Sequence, residues 1–256
     1  MSDCHSVCCA TPLGTVRARR KGPGSPDGAP LVSWLVVPPI TQPADIEAVR
    51  SSYDRVADNY VAMNMSDLSA HPWLRAALTV FTEGTRGLGP VLDVGCGPGV
   101  ISGHLADLGV DVSGVDLSPK MIEHARRLHP GLRFDVASAT ALDLEPGSLG
   151  GILGWWSLFN LPREVLPEVL ASFARALVPG GQALIGTHVG SGELPRTEAY
   201  GGVPVAWTTH LWQPEQLGDL IGAAGLEVMA QLELAPSGPS GRPQVLISAR
   251  RAPGAG

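Results

Sequence analysis

Charge is scarce in this sequence: 16% of its 256 residues are Asp, Glu, Lys or Arg, and the 18 basic ones are outnumbered by 24 acidic ones. The resulting net charge of −6 argues against a surface built to follow a phosphate backbone, which needs a basic stripe. Cysteine is scarcer still. Four are too few for a disulfide scaffold, and Cys4, Cys8 and Cys9 crowd into the first nine residues, which fits a reducing compartment. With His5 they suggest half of a metal site, but no second ligand pair follows, so no metal is expected. Long apolar runs are also missing. The longest outside the glycine-rich core, Leu31 to Val37, is broken by Ser33 and closed by Pro38 and Pro39, well short of the roughly 18–20 residues that span a bilayer. Arg17, Arg19 and Arg20 precede it, yet it lies late and lacks a small-residue cleavage site. No export signal is read, and a cytoplasmic protein without a membrane partner is expected.

What the sequence does have is apolar residues (44%), 32 glycines and 23 prolines. Glycine and proline far exceed the roughly 12% of average usage, but no G-X-Y period runs through them, and the apolar content calls for a packed core. Residues 1–43 hold four of the glycines and seven of the prolines, including the low-complexity piece Lys21 to Pro30, and are expected to be a disordered extension. They also carry four basic against two acidic residues. The body is therefore more acidic than the whole chain, which strengthens the case against a nucleic-acid partner.

From Ala44 the pattern changes. Ile46, Val49, Tyr53, Val56, Tyr60 and Met63 recur at spacings of three and four, predicting an amphipathic helix, and a second helix is expected over Leu68 to Thr82. Short apolar strands then alternate with helices, the pattern of a parallel α/β sheet: Val91 to Val94, Val110 to Val115, Leu132 to Val136, Gly151 to Trp155 and Ala183 to Thr187. Ser118 and Pro119 read as N-cap and first residue of a helix through Leu128. Pro162 or Pro167 opens another that ends near Leu177, with Pro179-Gly180-Gly181 as its terminator. Residues 190–206, rich in Gly and Pro, read as an inserted loop or cap. Gln213-Pro214 starts a helix ending at Gly225. The strands Leu226 to Leu234 and Gln244 to Ala249 must pair antiparallel or change sheet.

The sharpest motif is Val91-Leu-Asp-Val-Gly-Cys-Gly-Pro-Gly99, a buried strand running into a glycine-rich turn and then a helix. Its glycines let backbone approach a ligand closely at a helix N-terminus. A dinucleotide fingerprint, G-x-G-x-x-G/A, puts a small residue at position 100, where this chain has Val100. Asp93, two residues before the first glycine, suits a cation better than a pyrophosphate. A second acid, Asp116, closes the next strand 17 residues after Gly99, where a carboxylate can accept hydrogen bonds from both hydroxyls of a ribose.

These segments resemble class I S-adenosylmethionine-dependent methyltransferases of the small-molecule type, and the likeness runs through most of residues 45–250. The resemblance implies a Rossmann-like, seven-stranded, mostly parallel sheet with helices on both faces. It implies a helical lid over 44–83, a cofactor-binding core over 88–189 and a cap over 190–212, within a domain spanning 44–252. S-adenosylmethionine is the implied cofactor, bound by the turn Gly95, Cys96, Gly97 and Gly99 with Asp93, by Asp116 at the ribose, and by Leu117, Ser118 and Met121 along the adenosine. Ala137-Ser138-Ala139 stands where the family often has Gly-Asp-Ala, so Ser138 and Ala139 are placed at the adenine. Gly154 matches the position whose carbonyl receives the methionine amino group, and Tyr53 and Tyr60 match the lid tyrosines that close over the cofactor, which places Tyr53 at the cofactor. Asn160 stands where many relatives carry histidine. Cys96 reads as a small residue filling the turn, not a nucleophile.

His188 and His210 fall at the carboxyl edge of the sheet or in the cap, where ligands of open α/β sheets bind. Each is a candidate base or substrate anchor, or a packed histidine, and Tyr60 joins them as a catalytic candidate. His104, His124 and His129 read as surface or structural. Trp155, Trp156, Trp207 and Trp212, with Asn160, are expected to face the acceptor, and their indoles suit a flat aromatic molecule. The expected activity is methyl transfer to the N, C or O of a small, aromatic metabolite of specialised metabolism, by a monomer or homodimer. The competing readings are a nucleotide-cofactor oxidoreductase and a cofactor-binding protein without turnover.

Overall fold

In the computed structural model, residues 43, 45–237 and 241–253 are described. The expected disordered extension, with Cys4, His5, Cys8 and Cys9, lies outside the described residues apart from Pro43. Two helices, α1 (Ile46–Ala62) and α2 (Pro72–Thr85), precede the sheet. The second starts four residues later than the periodicity suggests, because Pro72 takes the first turn, the one place in a helix where its missing N–H costs nothing.

The chain then alternates: β1 (Val91–Val94), α3 (Val100–Asp107), β2 (Val112–Asp116), α4 (Pro119–Leu128), β3 (Arg133–Val136), β4 (Leu149–Trp155), α5 (Leu166–Ala176) and β5 (Leu177–His188). A hairpin of β6 (Glu193–Ala199) and β7 (Val203–His210) follows, then α6 (Pro214–Ala223), β8 (Leu226–Ser237) and β9 (Arg242–Arg251). The seven-stranded sheet has the order β3-β2-β1-β4-β5-β9-β8. Its first five strands are parallel, while β9 runs antiparallel to both β5 and β8. The order reverses between β1 and β4, so a crevice opens beyond their carboxyl ends.

Side chains alternate across the sheet. Leu92 and Ile152 join one core with Phe173 and Leu170 of α5 and Ile221 of α6, while Val91 and Leu153 join another with Leu78 and Phe81 of α2 and Leu105 of α3. Both faces of β1 are thus buried, which is why it reads as a continuous apolar run.

Two local expectations are corrected. Pro179-Gly180-Gly181 does not end α5; the helix stops at Leu177, whose ψ of 141° is extended, and the three residues bulge within β5 between the pairs Leu177–Leu149 and Gln182–Gly151. Residues 190–206 are not an irregular loop, since most of them belong to the β6–β7 hairpin, turned at Gly201 and Gly202 with φ of 91° and 79°.

Candidate functional site

A cavity of about 540 Å³ opens at the carboxyl ends of β1, β2, β4 and β5, covered by α1 and the β6–β7 hairpin. At one end, the turn after β1 hangs on β2: the N–H groups of Gly95 and Cys96 both donate to the Val115 carbonyl, at 2.7 and 2.9 Å. Gly97, with φ of 53°, lines the cavity, and a Cβ placed on it would meet nothing within 4 Å. Its peptide is open to a ligand, and its N–H donates to Asp116 Oδ2 at 2.9 Å. Ser118 N–H donates to Asp116 Oδ1 at 2.8 Å. Burial nonetheless pushes the Asp116 carboxyl up to about 6, against the lowering effect of these amides. Gly95, Leu117, Met121, Ser138 and Ala139 line the same region. The Ser138 hydroxyl is engaged with Thr140 Oγ1 at 2.7 Å.

Five residues assigned to the cofactor by resemblance lie behind this wall instead of on it. Asp93 is buried beneath the turn, where its Oδ2 accepts from Ser102 Oγ at 2.6 Å and its Oδ1 has no partner. Burial pushes its carboxyl up to about 7. Cys96 packs among Ile122, Ala125 and Phe134, and burial drives its thiol well up, away from nucleophilic thiolate. Gly99 caps α3 with φ of 79°, and a Cβ there would fall 2.7 Å from the Phe134 ring. Ser118 caps α4, accepting from Met121 N–H at 3.1 Å as its sequence position predicts. Gly154 is buried in β4 between Leu158 and Ile185.

The opposite end is aromatic. The Tyr53 ring stacks on Trp207 with centroids 4.7 Å apart and planes 2° from parallel, and its hydroxyl donates to Asn160 Oδ1 at 2.8 Å. Asn160 Nδ2 donates in turn to the Thr208 carbonyl at 3.0 Å, so Asn160 joins the lid helix to the hairpin. Tyr60 meets Tyr200 edge-on at 5.0 Å and shares a hydrogen bond with Ser66 Oγ at 3.1 Å. Burial raises both the Tyr53 and Tyr60 hydroxyls, so they stay neutral. Trp155 and Trp156 pack at right angles, 4.9 Å apart. Trp156 sits at φ of 48°, with its ring over Gly186, where a Cβ would come within 2.9 Å of it.

His188, at the end of β5, lines the cavity with Phe159 5.2 Å from its ring. Burial, then the charges of Arg196 and Arg242, lower it to about 4, so the imidazole is neutral at pH 7. Its Nδ1 is buried without a partner.

His210 and Trp212 do not line the cavity. Trp212 belongs to the main core, with the Arg163 guanidinium 4.0 Å above its ring. His210 is buried at the foot of the hairpin, where β6–β7 pairing sets it opposite Glu193; that carboxylate is 3.2 Å from Nδ1 but lacks hydrogen-bond alignment. The chain returns to the sheet just there, through the Val189–Trp212 bridge, so both side chains serve packing.

Several residues at the site were not expected from the sequence. Arg196, Tyr200 and Gln244 line the cavity. Asp54 fastens the lid: its Oδ1 accepts from Ser118 Oγ at 2.6 Å and Lys120 N–H at 3.2 Å, and its Oδ2 accepts from Arg50 at 2.6 Å. His124, on α4, adds a 2.7 Å contact to Asp58 of the same lid helix. The sequence signal for Asp54 is its place beside Tyr53 on the helix, but the partner lies 64 residues away. Among the described residues no cluster of His, Cys, Asp or Glu is placed to hold a metal, and no helix is long and apolar enough to cross a membrane.

Residues 91–181 match the methyltransferase domain family. The chain is 31% identical over 153 residues to a malonyl-[acyl-carrier protein] O-methyltransferase of Enterobacter lignolyticus, covering 60% of this chain and 58% of the relative. It is 34% identical over 145 residues to a demethylmenaquinone methyltransferase of Beutenbergia cavernae, covering 55% and 58%. The chain therefore spans less than two thirds of the length of these curated relatives. Its fold is similar to that of the 1,6-didemethyltoxoflavin-N1-methyltransferase of Burkholderia thailandensis, solved with 1,6-didemethyltoxoflavin and S-adenosylhomocysteine bound. That likeness has a TM-score of 0.59 at 20% identity over 86% of this chain and 95% of that one. The reversal of strand order between β1 and β4, the open glycine turn after β1 and the carboxylate closing β2 agree with these likenesses: residues 91–181 match a methyltransferase domain, and the fold is that of solved S-adenosylmethionine-dependent methyltransferases.

Proposed function

We propose that this chain transfers the methyl group of S-adenosylmethionine to a small acceptor with a flat aromatic face. The observation that carries the reading is Asp116, held by two amides at the end of β2 and turned to a cavity that also exposes the Gly97 peptide. In that reading Asp116 accepts from the ribose hydroxyls, the Gly97 peptide lies against the cofactor, and Leu117, Met121, Ser138 and Ala139 surround the adenosine. The cofactor supplies a methyl group made electrophilic by its sulfonium. The protein's part is to align the acceptor at near-attack distance, about 3–3.5 Å, and to exclude water.

Tyr53, Trp207, Tyr60 and Tyr200 close the cavity from the lid side, and Trp156 offers a ring face on the sheet side. Such faces favour a flat acceptor and stabilise positive charge near the sulfonium. His188 is too weak a base at about 4 to ionise a hydroxyl efficiently, which favours an acceptor that arrives as a free nucleophile. The curated relatives are named for a malonyl-carrier protein and for demethylmenaquinone, while the toxoflavin enzyme holds a fused aromatic ring, and a ring of that kind suits the indole-lined wall best.

Thermal shift tests the cofactor: S-adenosylmethionine raises the melting temperature and NAD leaves it unchanged. Incubation with labelled cofactor and a panel of aromatic metabolites, read by mass spectrometry, tests the acceptor. Trp156→Ala raises the acceptor KM about tenfold or more, the scale of a lost aromatic contact with its buried area, while cofactor affinity holds. An unchanged KM removes the aromatic-acceptor reading.

A further inference from the structure

On the sheet side of the cavity, three polar side chains face the acceptor space and hydrogen-bond to no described protein group. His188 and Gln244 are register partners across β5 and β9, which puts them side by side on one face of the sheet, and both line the cavity. Arg196 reaches the same cavity from β6. It forms no ion pair among the described residues, yet it lies close enough for its charge to act on His188. On the lid side of the site, by contrast, Tyr53 is paired with Asn160, Asn160 with Thr208 and Tyr60 with Ser66.

The chemistry of the three side chains has one sign. Arg196 is a planar fork of donors with a fixed positive charge, the geometry that fits a carboxylate through two parallel bonds. Gln244 has an amide N–H₂. His188 is neutral, with Nδ1 sealed from both water and any partner. An unpaired N–H is the rarer orphan inside a protein, so the tautomer that leaves only a lone pair at Nδ1 and carries the proton on Nε2 is the favoured one. The charges acting on this imidazole are two cations, Arg196 and Arg242, and no carboxylate. Glu198, Asp67 and Asp45 also line the cavity; Glu198 and Asp67 are exposed to solvent as Arg196 is, but none of the three is among the charges that act on His188.

We propose that His188, Gln244 and Arg196 form a subsite for an anionic oxygen of the acceptor, a carboxylate above all, with His188 acting there as a hydrogen-bond donor. The inference rests on the methyltransferase reading and narrows its acceptor to an aromatic acid. Of the roles the sequence leaves open for His188, base, substrate anchor or packed histidine, it selects the anchor.

The test uses the full chain saturated with S-adenosylhomocysteine and matched probes, indole-2-carboxylate against indole-2-carboxamide and benzoate against benzamide, titrated calorimetrically. The acid of at least one pair binds about tenfold or more tightly than its amide. Arg196→Gln, on an exposed hairpin strand, abolishes that preference while the affinity for S-adenosylhomocysteine holds. His188→Gln, which keeps a donor, retains more of the preference than His188→Ala. Equal affinity within every pair, no binding of either acid at millimolar concentration, or a preference that survives Arg196→Gln overturns the subsite and leaves the methyltransferase reading standing. Failure of S-adenosylhomocysteine to bind the unaltered chain overturns both.

Discussion

Asp116 is held by amides of Gly97 and Ser118, 19 residues before it and 2 after, whereas across the cavity Tyr53 and Asn160 meet from 107 residues apart and Asn160 then reaches Thr208. The first end is made by one strand-turn-helix unit and the strand beside it, from backbone groups whose positions follow once β1 and β2 pair. The second is assembled from the lid, the loop after β4, the hairpin and the ends of β5 and β9, and is held by ring stacking and single side-chain hydrogen bonds. A site of the first kind admits few substitutions without losing its ligand. A site of the second kind can change its walls while the sheet stays as it is, which is how one fold serves acceptors as different as those in the names of the relatives.

The sharpest way to break the comparison is at the local end. If Asp116 accepts two charge-assisted hydrogen bonds from the ribose, as proposed, each about 1.5–3 kcal/mol, Asp116→Ala should make S-adenosylhomocysteine bind at least about a hundredfold more weakly by calorimetry. A loss below tenfold would place the ribose elsewhere. Tyr53→Phe probes the long-range end. It leaves Asn160 Oδ1 buried without its donor, which should lower unfolding free energy in urea by about 1–3 kcal/mol, with little change in cofactor affinity. If cofactor affinity falls as steeply as stability, the two ends are not separable.

The smallest effect is expected behind the glycine turn. Asp93 keeps its proton in the folded chain up to about pH 7, while the unfolded carboxyl releases it near 3.8. Between those values the native state holds the extra proton, so this group's contribution to stability falls as pH rises. Relative to Asp93→Asn, the unaltered chain should therefore lose about 1–2 kcal/mol between pH 5 and pH 6.5. Parallel stability curves would show that the carboxyl is ionised in the fold.

The same division separates what was legible in the sequence from what was not. The strands β1 and β2, the glycine turn, the Ser118-Pro119 start of α4 and Asp116 at its strand end all follow from neighbours in the chain. The β6–β7 hairpin is masked in the sequence because its glycines and prolines suggest a loop, although Val203, Val205, Trp207 and Thr209 alternate as a strand should. The glycines sit at the turn, and Pro195 and Pro204 are tolerated because both strands are edges of a two-stranded sheet. The Pro179-Gly180-Gly181 bulge in β5 is ambiguous for a related reason: the same residues end a helix or interrupt a strand, and only pairing with β4 decides between them. Asp93, Cys96 and Gly99 match the motif yet support the turn from behind, because a motif records which residues are needed and not which way each one faces.

By itself the sequence determined the order of strands and helices apart from the β6–β7 hairpin, the glycine turn and the acid that closes β2, since these depend on backbone conformations and periodicities spanning a few residues. Tertiary structure alone decided that Trp207 joins the cavity wall while Trp212 enters the core, that His188 is neutral, and that Gln244 and Arg196 stand beside it. Those facts depend on which distant segments come to lie together, on the desolvation that packing imposes, and on the register of one strand against another, none of which short-range pattern contains.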